Sequence, residues 1–185
     1  MPRYWFPKPY ADLVARLRVP SGFVLVAAFA WFSVPTFQSL SVGIPISLIG
    51  LLIRAWAAGH LAKNQSLATS GPYAWTRNPL YLGTLLVAAG LVTASRSIGL
   101  AILFAAVFVL VYLPVIELEE QHLRKLFPEY AGYAERVHRL LPRWPSGQVG
   151  ERFRWGLYKR NQEYQALAGF LVGTLLLIWK GYTRS

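Results

Sequence analysis

The chain has 185 residues, 55% of them hydrophobic and 15% aromatic, with 19 Lys and Arg against 8 Asp and Glu. That fits one domain of membrane composition. The basic residues flank apolar runs, so the positive-inside rule accounts for the +11 charge, and no nucleic-acid partner is expected. With no Cys, a disulfide, a thiolate metal site and a Cys nucleophile are all excluded. His60, His122 and His138 lack zinc-ligand spacing, so no metal site is expected.

Residues 1–18 mix Arg3, Lys8, Arg16 and Arg18 with Tyr4, Trp5, Phe6 and Tyr10, a combination that favours the headgroup zone. Leu13, Val14 and Leu17 give one or two turns there an apolar side. Ala28-Phe29-Ala30 resembles a signal-peptide cleavage site, but the apolar run continues past it, so an uncleaved span is expected. Val19 to Ile53 carries no charge. A single helix of that length would reach about 50 Å across a hydrocarbon core of about 30 Å. The run therefore folds into two spans, near 19–38 and 42–60, broken within Pro35 to Pro45. Arg54 falls inside the second span near its end, where either a functional role or snorkelling explains it.

Leu61 to Arg77 is a polar connection that ends in the stretch Gly71 to Gly83, GPYAWTRNPLYLG. Gly71-Pro72 forces a turn. Arg77 and Asn78 bring donors to the membrane edge, and Pro79 suits the first turn of a helix whose unpaired N–H groups attract a carboxylate or phosphate. A capped helix with a snorkelling Arg is the plainer alternative. Asn78 to Ser95 and Ser97 to Ile116 are further uncharged runs joined by Arg96 alone, so their helices are antiparallel neighbours. Arg77 lies 19 residues before Arg96, and Glu119 and Glu120 lie 23 and 24 after it. At about 1.5 Å per residue, the cationic loop and the carboxylate pair emerge at the same face.

Glu117, Glu120 and Arg124 share one helical stripe and Glu119 points elsewhere; Glu117 reads as a solvated helix-end charge. Tyr130, Tyr133, Ala134, Val137, Leu140 and Leu141 recur with helical period up to Pro142. Residues 117–141 thus read as two amphipathic pieces broken near Pro128. Arg143 to Glu163 reads as a basic surface linker, and Tyr164 to Trp179 as a short last span anchored by Trp179 and Lys180. Segments 1–18, 61–78 and 117–163 hold 15 of the 19 Lys and Arg, which places the N-terminus and polar loops in the cytoplasm. The expected fold is all-α: a polytopic integral membrane protein of about five transmembrane helices with cytoplasmic C-terminal amphipathic helices.

In order, Gly71-Pro72-Tyr73, Arg77-Asn78-Pro79, Tyr81, Gly83, Glu119-Glu120, Leu123, Phe127, Tyr130, Tyr133, Val137, Arg139 and Pro142 resemble the isoprenylcysteine carboxyl methyltransferase and phospholipid methyltransferase superfamily. The similarity spans residues 45–142. Asn78 stands where eukaryotic members usually carry His, which removes a titratable group, and Pro128 stands where Gly is common. The resemblance implies S-adenosylmethionine as methyl donor, bound on the cytoplasmic side between the third and fourth spans and the C-terminal helices. Residues 1–44 and 143–185 carry none of the resemblance; with the charge and hydropathy pattern, the expected division is an interfacial segment 1–18, a membrane methyltransferase domain 19–142, and a basic linker with a C-terminal apolar helix 143–185. The resemblance implies cofactor contacts from Gly71, Pro72, Tyr73, Arg77, Asn78, Pro79, Tyr81, Leu82, Gly83, Glu119 and Glu120, with Arg77 and Glu120 as catalytic residues.

Chemistry is compatible with these roles. Arg77 and the adjoining helix N-terminus suit the donor's carboxylate. Glu119 or Glu120 suits its ammonium or ribose hydroxyls, and Tyr73, Tyr81 and Tyr133 offer ring faces to adenine or sulfonium. Arg54, Tyr133 and Arg139 are the expected substrate contacts: an acceptor carboxylate wants a cation such as Arg54 or Arg139, whereas an amine wants a carboxylate base. The acceptor expected is a lipid or lipophilic small molecule, reached from the bilayer of a bacterial inner membrane with the site facing the cytoplasm. Isoprenylcysteine-like carboxylate O-methylation is favoured. Phospholipid amine N-methylation, a sterol-reductase-like NADPH enzyme and a non-catalytic membrane module are the alternatives. Tyr130 and Tyr133 also read as interfacial packing, the three His as surface or boundary residues, and Lys63 and Asn64 as lining the entrance. Gly83 and Gly90, spaced by seven, read as a close helix contact.

Overall fold

A computed structural model describes residues 5–145 and 150–184, and all regular structure among them is helical. Helix α1 (Lys8–Phe32) starts with Pro9 in its first turn and runs unbroken through Pro20. Ser21 Oγ donates to Arg18 O at 2.9 Å beside that proline, using a carbonyl near the interrupted ladder. The interfacial turns expected before residue 18 are therefore continuous with the first span. The break after it is short, because Thr36 caps α2 (Phe37–Ala58) reciprocally with Ser39: Ser39 N donates to Thr36 Oγ1 at 3.3 Å, and Thr36 N donates to Ser39 Oγ at 2.9 Å. This corrects the break sought across Pro35 to Pro45; Pro45 lies inside α2.

A 3-10 turn (Gly71–Ala74) leads into α3 (Pro79–Ser95). Helices α2 and α3 pack backbone to backbone. A methyl group on Gly50 would lie 2.6 Å from Gly83 O, and Ser47 Oγ donates to Val87 O at 2.9 Å between the two glycine contacts. The close approach expected at Gly83 and Gly90 is thus present, and Gly50 and Gly43 are its partners. Arg96, at φ 54°, reverses the chain into α4 (Ile98–Val107), a π-helical turn (Phe108–Tyr112) and α5 (Leu113–Leu126). The wide turn passes directly into Pro114, which has no N–H to place in the ladder. The amphipathic region then bends at Phe127 into α6 (Tyr130–Arg136), and α7 (Trp155–Arg160) and α8 (Tyr164–Arg184) follow.

Among the described residues, four helices are long and apolar enough to cross a membrane: Lys8–Phe32, Phe37–Ala58, Ile98–Leu126 and Tyr164–Thr183. The shorter apolar α3 brings the arrangement close to the five expected. Three boundaries differ from expectation. Helix α6 stops at Val137, whose ψ of 132° is extended, well before Pro142. In the expected linker 143–163, residues 150–163 contain α7 and dock on the end of α2, where Asn161 Nδ2 donates to Ala58 O and Leu61 O, each at 2.9 Å. The last helix runs past Trp179, and Lys180 is buried rather than anchored among headgroups. Its ammonium donates to Ala30 O at 2.8 Å and Trp31 O at 3.1 Å, the carbonyl end of α1 where a cation is favoured.

Candidate active site

The loop before α3 is held in one shape by the segment after α6. Arg77 N donates to His138 O at 2.9 Å, and Arg143 N to Trp75 O at 3.0 Å. Thr76, buried, donates its hydroxyl towards Arg139 O and Leu140 O. Gly71 adopts φ 56°, and a methyl group there would meet the His60 ring at 2.7 Å, so the turn requires glycine on both counts. His60 is itself buried, its ring nitrogens 2.9 Å from Trp56 O and 3.0 Å from Glu151 O. That corrects its reading as a boundary residue, whereas His122 and His138 are exposed.

Beneath the loop lies Glu120, 3% exposed. Arg139 Nη2 approaches its Oε2 to 3.0 Å, Asn78 Nδ2 donates to Oε1 at 3.1 Å, and Arg77 Nη2 donates to Oε2 at 3.3 Å. Arg77 Nε stands 3.1 Å from Oε1, close enough for charge attraction but not aligned as a hydrogen bond. Arg77 Nη1 donates to Ala134 O on α6 at 2.8 Å. Two guanidiniums and an amide therefore surround one carboxylate, and that cluster locks α3, α5 and α6 together. Glu117, one turn earlier, is 5% exposed and accepts the Trp5 N–H at 2.9 Å. This overturns its reading as a solvated charge: α5 begins at Leu113, so Glu117 sits inside the helix against the N-terminal segment.

Above the cluster opens a cleft of about 940 Å³. Of the residues expected at the site, Arg54, Tyr73, Arg77, Tyr81, Glu119 and Tyr133 line it, and so do Lys63 and Asn64. Glu120, Asn78, Arg139, Gly71, Pro72, Pro79, Leu82 and Gly83 are not among its lining residues. Tyr133 donates its hydroxyl to Tyr73 O at 2.7 Å. Tyr130 also lines the cleft, its buried hydroxyl facing the Glu120 carboxylate. Burial pushes the phenols of Tyr73, Tyr130 and Tyr133 up, so all three remain protonated at physiological pH.

Three contributors escaped sequence reasoning: Arg18 from α1, Tyr112 from the π turn and Glu163 directly before α8. Arg18 Nη1 lies 3.4 Å from Glu119 Oε1, and Tyr81 donates its hydroxyl to the same oxygen at 2.9 Å. The Arg18 and Glu119 side chains remain 43% and 48% exposed. Glu163 faces Arg54, with Arg54 Nη2 2.8 Å from its Oε1. The one sequence signal for Glu163 was an acid directly before an apolar helix, in a linker whose one other acid, Glu151, stands among Arg143, Arg152, Arg154, Lys159 and Arg160.

Residues 17–130, which hold α1 from Leu17 onward, the loop, and Glu119 and Glu120, match the family model described as phospholipid methyltransferase. The chain belongs to the phospholipid methyltransferase family. It is 38% identical over 116 residues to the cobalt-zinc-cadmium resistance protein CzcN of Cupriavidus metallidurans, covering 61% of this chain and 52% of that protein. It is 34% identical over 115 residues to the nickel-cobalt-cadmium resistance protein NccN of Alcaligenes xylosoxydans xylosoxydans, covering 61% and 53%. The chain thus spans about half the length of the curated relatives it matches. No solved structure matches it significantly. The family match takes in Arg18, Tyr81 and Glu119, but Tyr133, Arg139 and Glu163 lie beyond its end.

Proposed function

We propose that this phospholipid methyltransferase family member transfers a methyl group from S-adenosylmethionine to the amine of a phospholipid at the membrane interface. The observation that carries the reading is the Arg18–Glu119 pair at the cleft. These opposite charges, 3.4 Å apart and nearly half-exposed, match a zwitterionic headgroup, with phosphate towards Arg18 and amine towards Glu119. The lipid-side face of α1 beside them, including Val19 and Phe23, is exposed and apolar, as the tails require.

The cleft residues fit the donor. Its volume, about 940 Å³, is at the upper end for a small-molecule site and leaves room for an acceptor's polar end. Tyr73 and Tyr133 supply ring faces, Arg77 a guanidinium, and Tyr130 a further ring. When bound, the donor supplies a methyl group carried on a sulfonium. Transfer then needs alignment and a dry site more than acid-base help. An acceptor ammonium must first lose a proton, and Glu119, oriented by the Tyr81 hydroxyl, is the cleft carboxylate available to take it. Glu120, which does not line the cleft, acts as a positioning residue that holds Arg77 and Asn78.

Carboxylate O-methylation is the second reading, supported by the resemblance to isoprenylcysteine carboxyl methyltransferases. Of the cations expected to serve it, Arg139 is engaged by Glu120 and Arg54 by Glu163, while Arg18 at the cleft is shared with Glu119. The site end of the bundle carries most of the Lys and Arg, which supports a cytoplasmic orientation. The test is transfer of labelled methyl from the donor to membrane lipid extracts by purified protein. A phospholipid gaining methyl groups on nitrogen is the expected product. A labelled methyl ester would favour the second reading, and label no greater than with Arg77→Ala would end both.

A further inference from the structure

Arg54 and Glu163 meet at the cleft from positions 109 residues apart. Arg54 Nε and Nη2 donate to the two carboxylate oxygens of Glu163 at 3.0 and 2.8 Å, a two-pronged pair. Arg54 Nη1 donates to Leu80 O at 3.3 Å and to the Thr84 hydroxyl. Every nitrogen of the guanidinium is therefore engaged. The Glu163 side chain is only 10% exposed, so the pair is held in shape by the surrounding helices. Glu163 directly precedes α8, which no part of the family match reaches.

We propose that Glu163 is a specificity-determining residue: by occupying Arg54 it keeps this end of the cleft charge-neutral and excludes acceptors whose reacting end is anionic. The inference rests on the cleft being the methyl-acceptor site argued above. An incoming carboxylate has two courses here. It displaces Glu163, stranding a buried charge, or it sits beside Glu163 with no cation of its own; both are costly. A neutral polar end meets neither penalty. Specificity of this kind comes from a repulsive element built against the wrong ligand. Because Arg54 also holds Leu80 O and the Thr84 hydroxyl, the same pair ties the first turns of α3, which carry Tyr81 and its bond to Glu119, to the start of α8.

The test uses the full chain in a non-ionic detergent without methyl donor. Calorimetry measures binding of octanoate and of octan-1-ol, which share a chain and differ in the charge of the polar end. The wild type is expected to bind the alcohol about tenfold or more tightly than the carboxylate. Glu163→Gln frees the guanidinium, and octanoate binding should then strengthen by about tenfold while the alcohol stays within about twofold. Arg54→Gln combined with Glu163→Gln leaves no lone buried charge, so it should fold as the wild type does and still reject octanoate. Octanoate bound by the wild type as tightly as the alcohol would overturn the proposal. So would unchanged octanoate binding in a folded Glu163→Gln, or strong octanoate binding in the double variant. If Glu163→Gln fails to fold, the wild-type preference and the double variant decide. None of these readouts involves methyl transfer, so a chain that showed this pattern and transferred no methyl group would fail the enzymatic reading alone.

Discussion

Glu120→Gln separates a structural carboxylate from a donor-binding one. The substitution keeps the shape and removes the charge, leaving Arg77 and Arg139 facing a neutral amide. Removing one partner of a buried ion pair costs about 3–5 kcal/mol. Arg139 is 29% exposed and can turn towards water, but Arg77 is only 11% exposed and tied to Ala134 O. The loss should therefore sit near the lower end, about 3 kcal/mol. For a chain of this size each kcal/mol moves Tm by roughly 2–4 °C, so Tm should fall by about 6–12 °C. Thermal scanning of tryptophan fluorescence in detergent reads that directly, and donor calorimetry well below the new Tm supplies the second measurement. Because Glu120 is not among the cleft's lining residues, donor affinity should weaken less than about fivefold, through a looser Arg77. An unchanged Tm combined with a loss of donor binding of tenfold or more would refute the structural assignment and return Glu120 to the site.

Arg77→Lys preserves the charge but cannot serve Glu120 and Ala134 O together, so donor affinity should fall by about tenfold or more; unchanged affinity in calorimetry would leave Arg77 a purely structural cation. Glu119→Gln should lower amine methylation by about a hundredfold or more with donor binding retained, and an unaltered turnover rate would remove it as the base. Gly50→Val drives a side chain into the α3 backbone and should cost about 1–3 kcal/mol, read as a lowered Tm; a stable variant would mean the helices have room that the contact denies. Single cysteines introduced at positions 10, 96 and 150 should accept an impermeant label from outside the cytoplasm at 96 alone; labelling at 10 or 150 but not at 96 would invert the topology.

The hairpin and its consequences were legible because they depend on counting. The rise per residue, applied from Arg96, brought Arg77 to the level of Glu119 and Glu120, and the structure pairs Arg77 with Glu120. Gly83 and Gly90 were legible as a contact because close helix approach needs small residues at a repeating interval. Their partners were not. Gly43 fell in a stretch that two prolines and several serines made look like a loop, and Thr36 and Ser39 instead close that loop within four residues.

Glu117 and Glu120 occupy one stripe of α5 and both are buried, yet a stripe in the sequence does not say what covers it. The cover comes from Trp5 on one side and Arg139 on the other, and Arg139 also lies over the Trp5 ring at 5.6 Å. Such a partnership has no local signature, because a buried carboxylate and a solvated one use the same residue. The same limit hid Arg18 and Glu163. Each looked like an ordinary charge next to an apolar run, where snorkelling is a sufficient account. What gives each a role is an opposite charge more than a hundred residues away, Glu119 for Arg18 and Arg54 for Glu163. The residues that carried the resemblance bring Tyr73, Arg77, Tyr81, Glu119 and Tyr133 to the cleft. Arg18 from α1 and Glu163 beside α8 add to that lining, and on the proposed reading they sort an acceptor's charge, so the motif by itself does not name the acceptor.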